Sequence, residues 1–440
     1  MKKIVLGALA LALATCGGDS PSDPSEAPAP PPPNVRVSRP ENPRPEEVAI
    51  AIDPTNPARL VVGSNLDFYY YSWDTGLTWT EARLLAPSFG VWGDPSIAYD
   101  ADGRVYYAHL SNPPEAEGFF IDRIVVQRST DGGASFDDGE GVGLRPPKNQ
   151  DKSWLVSDLT DSAYRGRLYL AWTEFDRYGS DDPADRTRIL LSHSADAGKR
   201  WSEPVVVSDV EGDARDDDNT VEGAVPAIGP QGQVYLSWGG PLGLMFDKSL
   251  DGGRTFGRDL FVTDQPGGWA FAVSGLRRAN GMPVTLCDTS GSPHRGRIYV
   301  VWSDQRSGPD DTDVFSTWSD DEGQTWVAPV RVNDDGAGRH QFFHWAAVDP
   351  VTGHLHVVFY DRRNTQGDAT EVFVARSTDG GATFQNRRVS ESPFTPDTSL
   401  FFGDYNNIAA RDGQVYPLWT RMEGGRLGIW TALIDERTFW

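Results

Sequence analysis

The sequence has only two cysteines, Cys16 and Cys287, among its 440 residues. Cys16 directly follows an N-terminal apolar segment, so Cys287 has no partner in the part of the chain that would fold. An intramolecular disulfide is therefore excluded as a support for the fold. The stability of the folded protein must come from packing.

Positive charge is also scarce, because 40 Lys and Arg residues face 63 Asp and Glu residues, which gives a net charge of -23. An excess of this size argues against nucleic acid or an anionic membrane surface as a partner. Long hydrophobic runs are missing as well. The apolar run from Ile4 to Ala14, preceded by Lys2 and Lys3, is too short to span a membrane and is typical of a secretory signal.

The signal ends in Leu13-Ala14-Thr15-Cys16, which resembles the bacterial lipobox. The resemblance implies that residues 1–15 are removed and that Cys16 is lipidated; an ordinary signal peptide cleaved nearby is the alternative. Residues 16–33 are rich in Pro, Ser and Ala and predict a tether that cannot bury a core. We therefore expect an exported protein of the bacterial cell envelope, anchored in the outer membrane, that meets the membrane through its lipid alone.

Metal and cofactor motifs are sparse. The seven histidines are scattered, and His354 and His356 alternate along a predicted strand, where they could supply two zinc ligands at most. The acidic runs Asp216-Asp217-Asp218 and Asp310-Asp311-x-Asp313 lack the spacing of a calcium loop, so we interpret them as solvated loops, with Ca²⁺ binding as the alternative. No cofactor is predicted.

What the sequence does contain is a repeated motif, Ser-x-Asp-x-Gly-x-Thr-aromatic, which is the Asp-box. Six copies follow one another roughly 55 to 70 residues apart. Their aspartates are Asp74, Asp131, Asp196, Asp251, Asp321 and Asp379. Ser and Asp oxygens can accept hydrogen bonds from turn amides, the Gly can take a positive φ, and the ring can pack between neighbouring sheets. We therefore assign a structural role to these aspartates.

Between the Asp-boxes, two apolar runs recur on either side of a polar turn, which indicates a hairpin in each repeat. Each repeat then has two strands, a third strand, the Asp-box turn and a fourth strand. Seven such units predict an all-β fold: one propeller of four-stranded antiparallel blades over residues 34–440, with six blades as the alternative. The last unit lacks a fourth strand, and Asn34–Ser38 would supply it and close the ring.

In a propeller, the start of the first strand and the end of the second lie on the same face of the ring. Alignment of the units places Glu46, Asp151, Glu222 and Asp404 at one position of the first strand, with Asp94 one residue later. The second strands end near Asp361 and near three arginines, Arg306, Arg362 and Arg421. Clustered carboxylates can separate into acid and base roles, and arginines can bind an anionic group. A merely solvated rim is the alternative.

The Asp-boxes and hairpins resemble the sialidase superfamily and related Asp-box propellers, over about Val35 to Trp440. The resemblance implies an arginine triad for a sugar carboxylate, a Tyr and Glu nucleophile pair, and an aspartic acid/base. Glu222 and Tyr405 match the positions of the pair, and Asp94 is the candidate acid/base. No Arg-Ile-Pro motif occurs near the first blade, and Gly239-Gly240 stands where the family has an arginine.

Two functions follow. In the first, the protein is an exo-acting glycoside hydrolase on anionic glycans. Its candidate catalytic residues are Glu222, Tyr405 and Asp94, and its candidate substrate-binding residues are Arg306, Arg362, Arg421, Asp151, Asp404 and Asp361. In the second, it is a non-catalytic envelope propeller that binds a glycan or a protein through the same face.

Overall fold

The chain is organised as seven four-stranded antiparallel sheets in a computed structural model that describes residues 30–42, 45–114 and 120–440. The predicted signal peptide, Cys16 and most of the predicted tether lie outside the described residues. Within the described part, the helical content is one turn, Glu436–Phe439, which Asp435 caps by accepting a hydrogen bond from Arg437 N. The predicted all-β class is confirmed.

The strands of each blade are given from the first to the fourth. Blade 1 has Ala49–Ile52, Leu60–Ser64, Phe68–Ser72 and Thr80–Arg83; blade 2 has Gly93–Tyr99, Val105–Leu110, Ile124–Ser129 and Glu140–Val142. Blade 3 has Asn149–Ser157, Leu168–Phe175, Thr187–Ser194 and Val205–Val206; blade 4 has Glu222–Ile228, Val234–Gly239, Leu244–Ser249 and Leu260–Thr263. Blade 5 has Val284–Cys287, Ile298–Asp304, Asp313–Ser319 and Val330–Arg331; blade 6 has Gln341–Val348, Leu355–Asp361, Glu371–Ser377 and Gln385–Arg388. Blade 7 has Asn407–Arg411, Gln414–Glu423, Arg426–Ala432 and Asn34–Arg36.

Three short strands lie outside this scheme. Ala270–Phe271 pairs with Ala279–Asn280 in an insertion that precedes blade 5, and Ile434–Asp435 pairs with the second strand of blade 7. The first strands of consecutive blades contact one another around the ring, including those of blades 7 and 1. They therefore surround the central channel.

The N-terminal strand closes the ring. Asn34, Val35 and Arg36 pair with Ala432, Thr431 and Trp430. Val37 N then donates to Ile429 O at 2.9 Å, which extends the pairing by one more residue. This contact covers the outer edge of blade 7, which would otherwise expose unpaired backbone groups. Seven blades and closure by the N-terminal strand are confirmed, and the six-blade alternative is wrong.

Each Asp-box forms the turn between the third and fourth strands. In blade 1, Ser72 Oγ accepts from Gly76 N at 2.9 Å, and Asp74 accepts from Thr78 N at 2.9 Å and from Thr78 Oγ1 at 2.6 Å. The aromatic residue of the next box, Phe136, lies 5.1 Å from the ring of Tyr69 in blade 1. The motif thus satisfies its own turn and joins neighbouring blades, far from the channel.

Candidate functional site

A backbone irregularity recurs at the entrance to the first strands. Glu47, Asp94, Lys152 and Phe343 all have positive φ, between 49° and 53°. Each lies five residues before the end of the first strand of its blade. The pairing with the second strand shifts at this point in blades 2, 3, 4 and 6. A left-handed residue in such a bulge re-aims its side chain. Three charged side chains are thereby placed at one mouth of the channel.

At this mouth lies a cleft of about 220 Å³, which we call the mouth cleft. Its charged lining comes from blades 1, 2 and 3 and from the insertion before blade 5. The charged residues are Glu46, Glu47, Asp94, Asp151, Lys152 and Arg278, and the aromatic ones are Trp92, Phe120, Tyr178 and Phe401. Three of the carboxylates predicted from the sequence, Glu46, Asp94 and Asp151, therefore line one cavity.

The carboxylate of Asp404 is the shared hydrogen-bond acceptor of the two cations of the cleft, Lys152 and Arg278. It accepts from Lys152 Nζ at 2.8 Å and from Arg278 Nε at 2.7 Å. Lys152 Nζ also lies 3.8 Å from Asp94 Oδ2. Arg278 Nη1 contacts Asp216 Oδ2 at 3.2 Å, and Tyr178 donates to that oxygen at 2.7 Å. Lys152 and Asp404 are buried and Arg278 is partly exposed, and the contacts between opposite charges fix these side chains in position.

The carboxyl groups of the cluster differ in their affinity for protons. Burial and the carboxylates of Asp94 and Asp404 raise the pKa of Glu47 well above its ordinary value. Burial, opposed by Lys152, raises the pKa of Asp151 to about 7. Burial has the same direction at Asp404, but Lys152 and Arg278 outweigh it and lower the pKa of Asp404. At neutral pH the cluster thus holds protonated and ionised carboxyl groups side by side.

Glu222 and Tyr405 do not line the mouth cleft. Glu222 is fully buried, and in the described part of the chain neither of its carboxylate oxygens has a hydrogen-bond partner. The ring of Tyr405 is buried against Trp154, at 5.1 Å, and Trp345, at 6.0 Å. No hydrogen bond joins Tyr405 to Glu222 among the described residues. Their role as a nucleophile pair stays a prediction.

The three predicted arginines also lie outside the mouth cleft. Arg306 bonds to Asp304 and stacks over Phe315 at 4.5 Å. Arg362 donates to Thr370 Oγ1 at 3.1 Å, and Arg421 donates to Ser392 Oγ at 2.7 Å. Asp361 is fully buried beside Arg363, whose Nε lies 2.8 Å from its carboxylate. Each of these groups has its own local partner, and a shared role of the three arginines in substrate binding stays a prediction.

The aromatic side chains form one wall of the mouth cleft. The rings of Trp92 and Phe120 lie 4.9 Å apart, and Phe120 lies 6.4 Å from Tyr178. The guanidinium of Arg278 stacks over Phe401 at 5.2 Å. Trp92 is 42% exposed, so part of its ring faces solvent at the rim. A polar floor and an aromatic wall are a suitable combination for a ligand with both hydroxyl groups and apolar faces.

Three residues of the cluster were missed by the sequence analysis. Glu47 and Lys152 directly follow aligned positions that it did select, and the bulge is what brings them to the mouth. The sequence could have indicated them, because in two separate units a charged residue follows the aligned carboxylate, which is Glu46 in one and Asp151 in the other. Arg278 belongs to the insertion before blade 5 and has no counterpart in the repeat.

One residue of each acidic run accepts a hydrogen bond from another part of the protein. Asp218 accepts from Ala270 N at 2.8 Å, and Asp313 accepts from Ser307 Oγ at 2.6 Å. Within residues 30–42, 45–114 and 120–440, no group of three or more His, Cys, Asp or Glu side chains is arranged to hold a metal ion. In the same part of the chain, no helix has the length and apolar character needed to cross a membrane.

Comparison with family models, and with curated proteins, finds no match for this chain. Solved structures do resemble it. A protein of unknown function from Dyadobacter fermentans is 17% identical, with a TM-score of 0.51, over 78% of this chain and 96% of that one. The NanB sialidase from Streptococcus pneumoniae is 9% identical, with a TM-score of 0.50, over 86% of this chain and 84% of that one. At such identities the likeness concerns the fold. This chain therefore has a sialidase-like Asp-box β-propeller fold, built from seven blades.

Proposed function

We propose that this protein binds a carbohydrate in the mouth cleft and hydrolyses a glycosidic bond there. In this proposal Asp151 is the general acid and Asp94 is the second carboxylate. One observation carries it: a carboxyl group with a pKa of about 7 lines the same cleft as another carboxylate and an aromatic wall. Hydrolysis of glycosides commonly uses two carboxyl groups with unlike proton affinities.

The proton of Asp151 is the first requirement of this chemistry. With a pKa of about 7, a large fraction of the Asp151 side chains is protonated at neutral pH and can donate to the oxygen of the leaving sugar. The lysine that follows it, Lys152, is held by Asp404 at 2.8 Å, so its ammonium group does not need to pair with Asp151. Asp404 thus positions the cation and leaves Asp151 available as an acid.

In this proposal Asp94 acts on the opposite side of the glycosidic bond from Asp151. Its backbone N donates to Asn65 Oδ1 at 2.9 Å, and the amide group of Asn65 in turn donates to Glu47. The raised pKa of Glu47 keeps a proton beside Asp94, where a hydrogen bond joins the two carboxyl groups. Asp94 can then serve as nucleophile or as the base that activates water.

The charged groups of the mouth cleft determine which class of sugar it can bind. Its two cations are already engaged by Asp404, and Arg278 also contacts Asp216. The arginines predicted to bind a sugar carboxylate have other hydrogen-bond partners; they are Arg306, Arg362 and Arg421. We therefore propose that the ligand is a neutral sugar or an amino sugar, instead of the anionic glycan that the resemblance to sialidases implies.

A non-catalytic envelope propeller is the second candidate. The burial of Glu222 and Tyr405, with no hydrogen bond between them among the described residues, favours it. In this case the mouth cleft would bind a glycan or a protein of the envelope without turnover. Binding together with a complete lack of hydrolysis would support it.

We also propose that the protein is exported and anchored in the outer membrane through a lipid on Cys16. The proposal depends on the sequence Leu13-Ala14-Thr15-Cys16 and on the apolar segment before it. Mass spectrometry of the mature N-terminus tests it. A peptide that begins at an acylated Cys16 is expected, and an unmodified N-terminus would contradict the anchor.

Binding to a glycan array tests the carbohydrate site itself. Wild type should bind at least one neutral or amino sugar, and Trp92→Ala should lose most of that signal because a partly exposed ring of the cleft is removed. Trp73→Ala is the matched control, since Trp73 is 55% exposed but lies in the Asp-box of blade 1. Equal binding by both variants would contradict the placement of the site, and no binding by wild type would contradict the proposal.

A further inference from the structure

The opposite end of the channel holds a second cavity, which we call the basal cavity. Its volume is about 410 Å³. It is lined by the turns that follow the first strands of blades 1, 2, 3, 5 and 6, and by Arg411 at the end of the first strand of blade 7. Because the mouth cleft lies where these strands begin, the two cavities are separated by the length of the strands.

Three arginines from three different blades line the basal cavity: Arg165, Arg295 and Arg411. Their hydrogen bonds go mainly to backbone carbonyl groups. Arg165 Nη1 donates to Leu159 O and Thr160 O, both at 2.9 Å, and Arg295 Nη1 donates to Ser290 O at 2.8 Å. Arg411 Nη2 donates to Pro54 O at 3.2 Å. A carbonyl group orients a guanidinium without neutralising its charge.

Two of these arginines belong to a loop that occurs twice in the chain. Residues 158–167 and residues 288–297 share the pattern Asp-x-Thr/Ser-x-Ser-x-x-Arg-Gly-Arg. In both copies the Gly after the arginine donates to the first Asp O, at 2.8 Å in blade 3 and 2.7 Å in blade 5. The turn that this bond closes presents Arg165 and Arg295 in the same way. The same turn therefore positions one arginine in blade 3 and one in blade 5.

Acidic side chains near the basal cavity have other partners or are exposed. Asp161 is the carboxylate that lines it, and its side chain is fully exposed, with an oxygen 3.5 Å from Arg165 Nη1. An exposed pair of this kind contributes little. Asp158 and Asp288 are fully buried and accept from turn groups, Thr160 N at 2.8 Å and Ser290 N at 2.7 Å. Among the described residues, Nε and Nη2 of Arg165 and Arg295 have no hydrogen-bond partner.

We propose that the basal cavity is an anion site that takes a phosphoryl group, as free phosphate or as part of a larger molecule. The planar guanidinium group of arginine presents paired N–H donors whose spacing suits two oxygens of a phosphoryl group. It binds them with charge-assisted hydrogen bonds. The volume of the basal cavity exceeds what one phosphate needs, so a diphosphate or a phosphorylated headgroup also fits. In a chain with a net charge of -23, three arginines from different blades line this one cavity.

Calorimetric titration of the purified protein with inorganic phosphate and pyrophosphate, at constant ionic strength, tests the site. Saturable binding of at least one anion is expected for wild type. In the double variant Arg165→Ala/Arg295→Ala, the Kd should rise by at least about tenfold, because two charged donors are lost. Arg254→Ala is the matched control: Arg254 also donates to a carbonyl group, Asp251 O at 3.3 Å, but lies on an Asp-box turn.

A second experiment distinguishes a phosphoryl group in a lipid headgroup from one in a soluble ligand. Wild type and the double variant are sedimented with vesicles of phosphatidylglycerol and, as the uncharged reference, phosphatidylcholine. Binding to phosphatidylglycerol alone, lost in the double variant, identifies a lipid headgroup, whereas binding of phosphate or pyrophosphate identifies a soluble ligand. Failure of wild type in both experiments, or equal binding by wild type and the double variant, would overturn the proposal. If the double variant melts below wild type, Arg165→Gln/Arg295→Gln replaces it.

Discussion

Substitution of Glu222 by Gln should remove a pH-dependent loss of stability. The Glu222 side chain is fully buried, and its carboxylate oxygens have no hydrogen-bond partner among the described residues. Burial, with a smaller contribution from Asp216, raises the pKa of this group well above its ordinary value of 4.5. Above pH 4.5 the unfolded chain has released this proton and the native protein has kept it. Stability must therefore fall as the pH rises.

The size of the effect follows from proton linkage. One proton held only by the native state lowers the free energy of unfolding by about 1.4 kcal/mol per pH unit. The contribution of Glu222 therefore grows with each pH unit between the ordinary pKa of 4.5 and the higher native pKa of this group. The amide introduced by Glu222→Gln releases no proton, so the variant should lose this part of the slope.

Urea unfolding at pH 5, 6 and 7 measures the slope directly. Wild type and Glu222→Gln are compared with Glu203→Gln, in which an exposed carboxylate is changed in the same way. The free energy of unfolding of Glu222→Gln should rise relative to wild type as the pH increases, whereas Glu203→Gln should run parallel to wild type. Parallel curves for all three proteins would refute the reasoning from burial.

Two further substitutions and one deletion test the cluster, the turns and the closure. Asp404→Asn should destabilise the protein by about 3 to 5 kcal/mol at pH 7, because Lys152 and Arg278 lose their shared carboxylate, and adding Lys152→Met should recover part of that loss. Asp321→Ala should cost about 1 to 3 kcal/mol in urea unfolding, since Thr325 N and Thr325 Oγ1 lose their acceptor, while Asp320→Ala at the exposed neighbouring residue should cost less. Deletion of residues 34–38 should lower the Tm and cause concentration-dependent aggregation in light scattering, because the outer edge of blade 7 becomes unpaired; an unchanged Tm would contradict the role given to this strand.

The fold could be predicted from the sequence because its signals are local and repeated. Each Asp-box encodes its own turn, and six copies at similar intervals leave few arrangements other than a ring of blades. Closure was predictable too, since Asn34–Ser38 resembles the fourth strand of another blade and the last unit lacked one. These inferences needed no knowledge of contacts between distant residues.

The site was only partly predictable, because it depends on backbone geometry that the repeat does not encode. Counting along the first strands selected Asp151 and Asp404, yet the bulge gives the next residue, Lys152, a positive φ and turns it towards the cluster. The arginines were selected because they follow strand ends on the same face. A shared face does not imply a shared cavity: Arg306 bonds to Asp304, and Arg362 bonds to Thr370.

Turnover in the mouth cleft is the central claim, and its most direct test is release of fluorophore from a panel of aryl glycosides by the purified protein. The panel should include neutral sugars, amino sugars and a sialoside. We predict turnover of a neutral or amino sugar that falls by at least about a hundredfold in Asp151→Asn, with kcat/KM of wild type decreasing as the pH rises through about 7. Glu203→Gln should keep the wild-type rate. Turnover that is unchanged in Asp151→Asn would contradict the assigned acid, and the absence of turnover on every glycoside would contradict hydrolysis in the mouth cleft.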